Sequence, residues 1–341
     1  MSSDCAVEVV VVGSCNSDLT TFAERLPRPG ETITGTGFES AFGGKGSNQA
    51  VCAARLGARV AMVAKVGGDK HGDEQVENLA SNGVDTSQVT RAARGVPTGV
   101  AQVCVDTATG QNTIVIVPGA NGVVAPADVA AADALFAGAK VTVCQLEIPQ
   151  DATLAALRRG REHGHVTIFN PAPAPAALLP GILEASDIVC PNETELELLC
   201  GDGGADCSTL EGVERAARAM LERGAGSVVA TLGERGALLV PGRFGGKSGS
   251  SGDGSDDSAQ RAVRHFPAPA GAKAVDTTGA GDAFVGALAA QLARGRSLSA
   301  AAAAAVRVAS VSVGARGAQA SYPRAAGLPA ELRLAQRSGG N

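Results

Sequence analysis

The residues with the clearest potential for chemistry lie in segment 276–284, which reads Asp-Thr-Thr-Gly-Ala-Gly-Asp-Ala-Phe. Gly279 and Gly281 free the backbone, and the apolar helix predicted from Ala283 onward points unpaired N–H groups back at this turn. Such a turn can hold an anion, and the Asp282 carboxylate at its mouth could accept a proton. From these nine residues alone, a role for Asp282 as the N-cap of the helix is an equally good interpretation.

A second glycine-rich turn occupies segment 43–50, Gly-Gly-Lys-Gly-Ser-Asn-Gln-Ala, and leads into a helical pattern. Its glycines let backbone N–H groups approach a ligand, and Lys45 and Asn48 add donors for hydroxyl or phosphate oxygens. The segment is not a Walker A motif, because Glu39 stands where the first glycine is required and Gly46 stands where Ser or Thr should follow the lysine.

Polar residues also follow the strands that the sequence predicts. Asn16 and Asp18 come after the β-branched run 7–12, where they could bind sugar hydroxyls or close an Asx turn. Glu147 follows the apolar run 141–146, and the polar segment 231–236 follows another. Since the carboxyl ends of parallel strands meet at one edge of a sheet, we expect these residues to converge on a cleft.

Asn192 and Glu195 are open to two interpretations. Their spacing is that of a capping box at the start of a helix. A glutamate that faces phosphates could equally hold Mg²⁺ through water, because Mg²⁺ keeps most of its hydration shell.

The elements that position these residues alternate between strand and helix from residue 59 to residue 240, which predicts right-handed crossovers. The predicted fold is a doubly wound, mostly parallel α/β sheet sandwiched by helices, in a single domain covering residues 1–341. Segments 17–43 and 97–118 alternate in a hairpin pattern, and we expect them to form a small β-sheet lid over the site. Segment 243–260 is rich in Gly, Ser and Asp and predicts a flexible insertion.

Composition excludes several classes of function. The net charge is −5 and no basic cluster is interleaved with aromatic residues, which argues against nucleic-acid binding. The eight cysteines form no C-x-x-C pair, as expected of small buried residues in a reducing compartment. No stretch of eighteen apolar residues and no signal-peptide pattern occurs, so we expect a cytoplasmic protein that does not contact a membrane.

Six motifs together resemble the PfkB family of carbohydrate kinases. They occur in family order and span roughly residues 7–325. The motifs are Gly-Ser-Cys-Asn-Ser-Asp at 13–18, Phe-Gly-Gly-Lys-Gly-Ser-Asn-Gln-Ala at 42–50, Asn-Pro-Ala-Pro-Ala at 170–174, Pro-Asn-Glu-Thr-Glu at 191–195, Thr-Leu-Gly-Glu-Arg-Gly at 231–236 and Val-Asp-Thr-Thr-Gly-Ala-Gly-Asp-Ala-Phe at 275–284. The insertion at 243–260 departs from the usual family length.

The resemblance implies transfer of a phosphoryl group from ATP to the 5-hydroxyl of D-ribose, with Asp282 as general base and Gly279, Ala280 and Gly281 helping to form an anion hole. It implies sugar contacts from Asn16, Ser17, Asp18, Gly44, Lys45, Gly46, Ser47, Asn48, Glu147 and Asp282. The implied nucleotide contacts are Asn192, Thr231, Leu232, Gly233, Glu234, Arg235, Gly236, Gly281 and Asp282.

The resemblance also implies Mg²⁺ near Glu195, a K⁺ site and a homodimer formed through the lid. The implied K⁺ ligands, mostly backbone oxygens, are Asp276, Thr278, Ser312, Ala315, Gly317 and Ser321. Two alternatives stay open. One is a related kinase for another sugar or a nucleoside, although 3% aromatic residues offer little for base stacking. The other is a non-catalytic sugar-binding protein, which the intact Asp282 motif disfavours.

Overall fold

The structure is a computed structural model that describes residues 6–201, 206–244, 262–271, 273–329 and residue 332. Most of the predicted insertion, residues 245–260, lies outside the described residues. The strands are β1 Val9–Val12, β2 Asn16–Ala23, β3 Gly37–Gly43, β4 Val60–Val66, β5 Val84–Arg91, β6 Gly99–Asp106, β7 Asn112–Val117, β8 Val141–Cys144, β9 Val166–Phe169, β10 Ile188–Val189, β11 Val228–Thr231, β12 Ala237–Val240 and β13 Arg264–Phe266.

The helices lie mainly between strands, as the alternating pattern predicts. They are α1 Lys45–Arg55, α2 Lys70–Ser81, α3 Pro126–Ala131, α4 Asp133–Phe136, α5 Gln150–Glu162, α6 Glu193–Cys200, α7 Leu210–Glu222, α8 Ala280–Ala293, α9 Leu298–Ser312 and α10 Ala318–Ser321. Short 3-10 turns cover Gly119–Val123, Gly233–Arg235 and Ala325–Gly327.

The large sheet has nine strands in the order β13-β12-β11-β10-β9-β8-β1-β4-β5. All neighbours from β11 to β5 pair in parallel, whereas β12 pairs antiparallel with both β11 and β13. Strand β1 lies between β4 and β8, so the chain leaves it toward one side and later returns on the other. This reversal of strand order is where open α/β sheets bind ligands.

Helices cover both faces of the large sheet, so its central strand is apolar on both sides. Val9 and Val11 of β1 pack into one buried cluster, whereas Val10 and Val12 pack into the other. Helix α8 lies in the first cluster and is buried from Asp282 to Ala293. A helix that is apolar all round, as this one is, belongs inside the protein. Asp282 is therefore the first buried residue of the helix, directly after the half-buried Gly279 and Ala280 and the exposed Gly281.

A second, four-stranded sheet has the order β3-β2-β6-β7. Strands β2 and β3 are antiparallel and so are β6 and β7, which confirms the two predicted hairpin patterns. Strands β2 and β6 pair in parallel, so the two segments join into one mixed sheet. That long-range pairing has no local sequence signal.

Among the described residues, no helix combines the length and the apolar character that crossing a membrane requires. The seven cysteines in this part of the chain are all free thiols, and the five that are buried all lie in the two apolar clusters.

Candidate active site

The turn before α8 brings Asp282 to the end of a cavity. Gly279 is the N-cap of the helix with a φ of 74°, and no side chain caps this end. The capping interpretation of Asp282 is therefore wrong. The N–H of Ala280 donates to the Thr277 carbonyl, so the N–H groups of Gly281 and Asp282 are those left for an anion at the first turn.

Two amide side chains of α1 hold the carboxylate of Asp282. Asn48 Nδ2 donates to Oδ2 at 2.9 Å, and Gln49 Nε2 donates to Oδ1 at 2.9 Å. Burial raises the pKa of Asp282 above its usual range, while Lys45 and the two amides act against the rise. A carboxylate with a raised pKa is a stronger proton acceptor than a free one.

Lys45 stands among three carboxylates at the start of α1. Burial lowers the pKa of Lys45, but Asp282, Glu147 and Glu195 outweigh burial and leave it above its usual value, so the ammonium stays charged. The backbone N–H of Lys45 donates to Glu147 Oε2 at 2.8 Å, and Ser14 Oγ donates to the same oxygen at 2.6 Å. Glu147 thus ties the glycine-rich turn to the end of β1.

The glycines of this turn allow a close approach between backbones. Gly44 has a φ of 89°, and a Cβ there would lie 2.7 Å from the Asn16 nitrogen. A Cβ on Gly46 would lie 2.5 Å from the Ser14 nitrogen, and Ser47 Oγ accepts from Gln319 Nε2 at 2.9 Å. Gly46 and Ser47 therefore pack into the protein and support the turn from behind.

Asn16, Ser17 and Asp18 form the start of β2, so the Asx-turn interpretation does not describe them. Asn16 and Ser17 are buried, and Asn16 Oδ1 accepts from Asn121 Nδ2 at 2.7 Å. Burial raises the pKa of Asp18 to about 7, with further contributions from Glu147 and Asp282. Its carboxylate lies over Gly43, where a Cβ would sit 2.1 Å from Oδ2.

A cavity of about 170 Å³ extends from Asp282 toward the ends of β9, β10 and β11. Gly279 and Gly281 line it on the side of α8. The polar side chains that line it are those of Lys45, Asn170, Asn192, Glu195, Thr231 and Asp282. The strand-end residues predicted from the sequence at positions 192 and 231 therefore meet Lys45 and Asp282 in one space.

Asn192 and Glu195 form the predicted capping box of α6. Glu195 N–H donates to Asn192 Oδ1 at 2.8 Å, and Asn192 N–H donates to Glu195 Oε2 at 2.9 Å. Burial raises the pKa of Glu195, against the effect of the Asn192 N–H and of Lys45. Capping engages one oxygen of Glu195 while the residue also lines the cavity, so both sequence interpretations are compatible.

The segment 231–236 has mixed surroundings. Thr231 lines the cavity, whereas the Leu232 side chain packs in the core and could contribute only its backbone. The Arg235 guanidinium pairs with Glu193 and donates to the carbonyls of Cys207 and Ser208, so it anchors the turn Gly233–Arg235 to the region before α7. Glu234 and Gly236 complete this turn outside the residues that line the cavity.

The residues predicted to bind a monovalent cation lie on the loop before α8, on the loop after α9 and at the last residues of α9 and α10. Asp276 Oδ1 accepts from Thr278 N–H at 2.9 Å and Oδ2 accepts from Gly317 N–H at 2.8 Å. Burial acts against these bonds, yet they keep the pKa of Asp276 below its usual value. Asp276 thus joins the two loops as an ionised group. The region that the structure describes contains no cluster of three or more His, Cys, Asp or Glu side chains suited to a metal, so a site here would rely on carbonyl oxygens.

Several site residues escape the sequence analysis. Gln49 and Asn170 belong to the motifs at 42–50 and 170–174, and Asn170 is a predicted strand-end polar residue, but neither carries an assigned role. Asn121 exchanges hydrogen bonds with the Cys15 backbone, at 2.9 and 3.0 Å, and supports Asn16. Gln319 lies more than 270 residues from its partners Ser47 and Asn48. Only the carboxyl-end position of Asn170 gives a usable sequence signal.

Comparisons with known proteins agree on one family. The family model "pfkB family carbohydrate kinase" matches residues 7–325. The chain is 45% identical to a ribokinase of Mus musculus over 96% of this chain and 95% of that protein. It is 35% identical to a deoxyribokinase of Salmonella typhimurium over 93% of this chain and 96% of that protein.

A solved structure of Arabidopsis thaliana ribokinase complexed with ribose and ATP superimposes with a TM-score of 0.83 at 30% identity, covering 97% of this chain and 100% of the other. A Thermotoga maritima ribokinase gives 0.78 at 33% identity, covering 96% and 98%. The sequence match, the ribokinase-like fold and the convergence of five of the six motifs on one cavity lead to the same conclusion: the chain belongs to the pfkB family of carbohydrate kinases.

Proposed function

We propose that the protein transfers the γ-phosphoryl group of ATP to the 5-hydroxyl of D-ribose, giving ribose 5-phosphate and ADP. One observation carries the proposal. A buried carboxylate, Asp282, lies in the first turn of α8, a helix start that no side chain caps, and it lines one cavity with Lys45 and the polar strand ends. A relative at 45% identity carries the name ribokinase, and a structural neighbour holds ribose and ATP.

In the proposed reaction Asp282 accepts the proton of the sugar hydroxyl as the hydroxyl oxygen bonds to the γ-phosphorus. The bond between that phosphorus and the β,γ-bridging oxygen breaks, and ADP leaves with the electron pair. The free N–H groups at the start of α8 and the Lys45 ammonium stabilise the charge on the transferred group. The raised pKa of Asp282 makes its carboxylate a better acceptor for the proton of the sugar hydroxyl.

The sugar would occupy the side of Asp282 that faces β2 and the start of α1. The proposed contacts are Asn16, Ser17, Asp18, Gly44, Lys45, Gly46, Ser47, Asn48, Glu147 and Asp282. Buried positions 46 and 47 act by shaping the turn. We assign direct recognition of the sugar hydroxyls to Asp18 and Lys45, because the charges of both side chains interact with the charge of Asp282.

The nucleotide would occupy the side lined by Asn192 and Thr231, with the backbone of 232–236 and of Gly281 alongside. Glu195 has one oxygen outside its capping bond, and carboxylates are the protein groups that hold hydrated Mg²⁺. Mg²⁺ would neutralise charge on the phosphate oxygens. Glu195 would then orient the ion through water.

A K⁺ ion would bind behind α8 between the loops that Asp276 joins. The proposed ligands are Asp276, Thr278, Ser312, Ala315, Gly317 and Ser321. The fit rests on an ionised Asp276 and on buried Ser312 and Ser321, whose hydroxyls already donate to helix carbonyls and leave lone pairs for a cation. A cation there would fix the shape of the turn at Gly279.

The exposed apolar side chains of the small sheet support a homodimer through the lid. Residues Ile114–Val117 of the edge strand β7 are each at least half exposed, and Phe38 of the other edge strand is 64% exposed. Exposed apolar edge strands invite pairing with another chain.

The free thiols favour a reducing location such as the cytoplasm.

A substrate panel tests the proposed activity. The rate of ADP formation from ATP is measured with D-ribose, 2-deoxyribose, fructose and adenosine, each with K⁺ or Na⁺. We expect the highest kcat/KM with D-ribose and stimulation by K⁺. A preference for deoxyribose would instead match the Salmonella relative, a preference for fructose or adenosine would contradict the substrate, and indifference to K⁺ would contradict the cation site.

Substituting Asp18 tests the sugar side. We expect Asp18→Asn to raise the KM for ribose about 10- to 100-fold, because a hydrogen bond to a charged group is lost. In the wild type the KM for ribose should rise as the pH falls below about 7, where Asp18 takes up a proton. The variant should lack this pH dependence, and an unchanged KM in initial-rate measurements would remove Asp18 from the site.

The same substitution should stabilise the ligand-free protein. The pKa of Asp18 is about 7 in the folded protein and about 4 in an unfolded chain. Its contribution to the free energy of unfolding is therefore complete below about pH 4 and is lost as the pH rises through about 7. We expect Asp18→Asn to raise the melting temperature at pH 8 but not at pH 4, as measured by differential scanning calorimetry.

A further inference from the structure

The two oxygens of Asp282 are each held by an amide, and each of these amides is held by others. Gln49 Nε2 donates to Asp282 Oδ1 and, at 3.1 Å, to Asn170 Oδ1. Gln49 Oε1 accepts from Gln145 Nε2 at 2.7 Å. Both polar atoms of the Gln49 side chain therefore make hydrogen bonds. Of its three partners, Asp282, Asn170 and Gln145, only Asp282 is ionisable.

The direction of the Gln49 amide is set by its surroundings. Asn170 Nδ2 donates to the Cys190 carbonyl at 2.8 Å, and a carbonyl can only accept. Asn170 must therefore present its oxygen to Gln49, and Gln49 must present its NH₂ group in return. That group carries two N–H bonds, and the second one points at Asp282. The Cys190 carbonyl thus determines, through Asn170 and Gln49, that an N–H group faces Asp282 Oδ1.

A second arm holds Oδ2. Asn48 Nδ2 donates to it, and Asn48 Oδ1 accepts from Gln319 Nε2 at 3.0 Å. Gln319 Oε1 in turn accepts from Asn78 Nδ2 at 2.8 Å. The donor side of Asn48 is thereby also directed at Asp282.

We propose that Gln49 is a positioning residue for the base Asp282: together with Gln145 and Asn170 it fixes the plane of the carboxylate and keeps that carboxylate in its ionised form. The inference rests on the proposed function of Asp282 and deepens it. Asn48 also donates to Asp282, but unlike Gln49 it is one of the proposed sugar contacts. Gln49 is fully buried and is therefore a residue that acts through Asp282.

The physical reason is the cost of burying a charge. Donors to both oxygens favour the ionised carboxyl and offset part of the desolvation that raises its pKa. They also prevent rotation of the carboxylate, and misplacement of a catalytic group by about 1 Å can cost about a hundredfold in rate. The other titratable or charged groups that face Asp282 are Lys45 and Cys52 of α1, Asp18 of β2, Glu147 after β8, Glu195 of α6 and Tyr322 after α10.

The test substitutes Gln49→Met, which keeps an unbranched side chain but removes the donor. At saturating ribose and ATP we expect kcat to fall about 10- to 100-fold and the KM for ribose to stay within about threefold. The acid limb of the kcat profile should move to higher pH by about one unit, because losing a donor favours the protonated acid. Gln145→Met removes only the support of Gln49 and should show a smaller change in the same direction.

Gln291→Met is the matched control. Gln291 is a buried glutamine in the same helix as Asp282, and its Nε2 donates to the Leu332 carbonyl at the far end. It should change stability without moving the pH profile. If Gln49→Met does not fold, the Gln145→Met profile decides the question, and a profile equal to that of Gln291→Met would overturn the proposal.

A double-mutant cycle separates positioning from general structural damage. In an Asp282→Ala background, Gln49→Met should slow the residual reaction no further, because its effect passes through the missing carboxylate. Equal slowing in both backgrounds would overturn the proposal. If the wild-type protein does not phosphorylate ribose at all, the proposed function fails instead, and the two failures are told apart by this one measurement.

Discussion

Asp282→Asn is expected to lower kcat by about 10²- to 10⁴-fold while ribose and ATP still bind, since this is the range for loss of a general base. Asparagine keeps the size of the side chain and can still pair with Asn48 or Gln49, but it cannot take a proton from the sugar hydroxyl. The comparison uses steady-state rates at saturating substrates, with ribose affinity measured separately by calorimetry.

Asp151→Asn is the control for this substitution. Asp151 is an exposed aspartate in the first turn of α5. Like Asp282 it lies at the start of a helix, but it does not line the cavity. It should leave kcat unchanged. An Asp282→Asn enzyme that retains kcat within tenfold of the wild type would show that another group accepts the proton.

Gly279→Ala is expected to lower the free energy of unfolding by about 2–4 kcal/mol, from the strain of a positive φ and from overpacking. The φ at this position is 74°, and a Cβ would lie 2.5 Å from Tyr322 Oη and 2.6 Å from Ala318 Cβ. Tyr322 Oη also donates to the Gly279 carbonyl at 3.0 Å. The substitution should therefore displace the turn that precedes Asp282 and reduce turnover as well as stability.

Gly281→Ala provides the matched comparison two residues later. A Cβ at Gly281 meets nothing within 4 Å, and the residue lies in the first turn of α8. We expect equal or slightly higher thermal stability, because alanine favours a helix by about 0.5–1 kcal/mol, together with weaker nucleotide use where the methyl group enters the cavity. Equal melting temperatures for both variants in thermal unfolding would contradict the strain at Gly279.

The parts of the fold that local pattern determines were predictable from the sequence. The apolar run before Gly13 is β-branched and buried on both faces, as expected of a central parallel strand. Asn192 and Glu195 have capping-box spacing and form that box. The turn at 106–110 joins two alternating runs and makes the hairpin of β6 and β7. In each case the partners lie close together in the chain.

The parts that depend on distant partners could not be predicted in this way. Whether Asp282 caps its own helix depends on the amides of α1, more than 230 residues earlier. The parallel pairing of β2 with β6 joins two hairpins across about eighty residues. Asn121 and Gln319 act through contacts that have no periodic pattern. Family resemblance supplied the candidate residues of the site, whereas the packing of α1 against α8 shows how Asp282 is held.

The most direct test of the central claim is the identity of the product. The protein is incubated with ATP, Mg²⁺, K⁺ and D-ribose, and the product is examined by proton-detected phosphorus NMR. The account predicts a single phosphomonoester whose phosphorus couples to the two hydrogens on C5, formed in equal amount with ADP. A phosphoryl group on another hydroxyl, or ADP formation without a sugar phosphate, would contradict it.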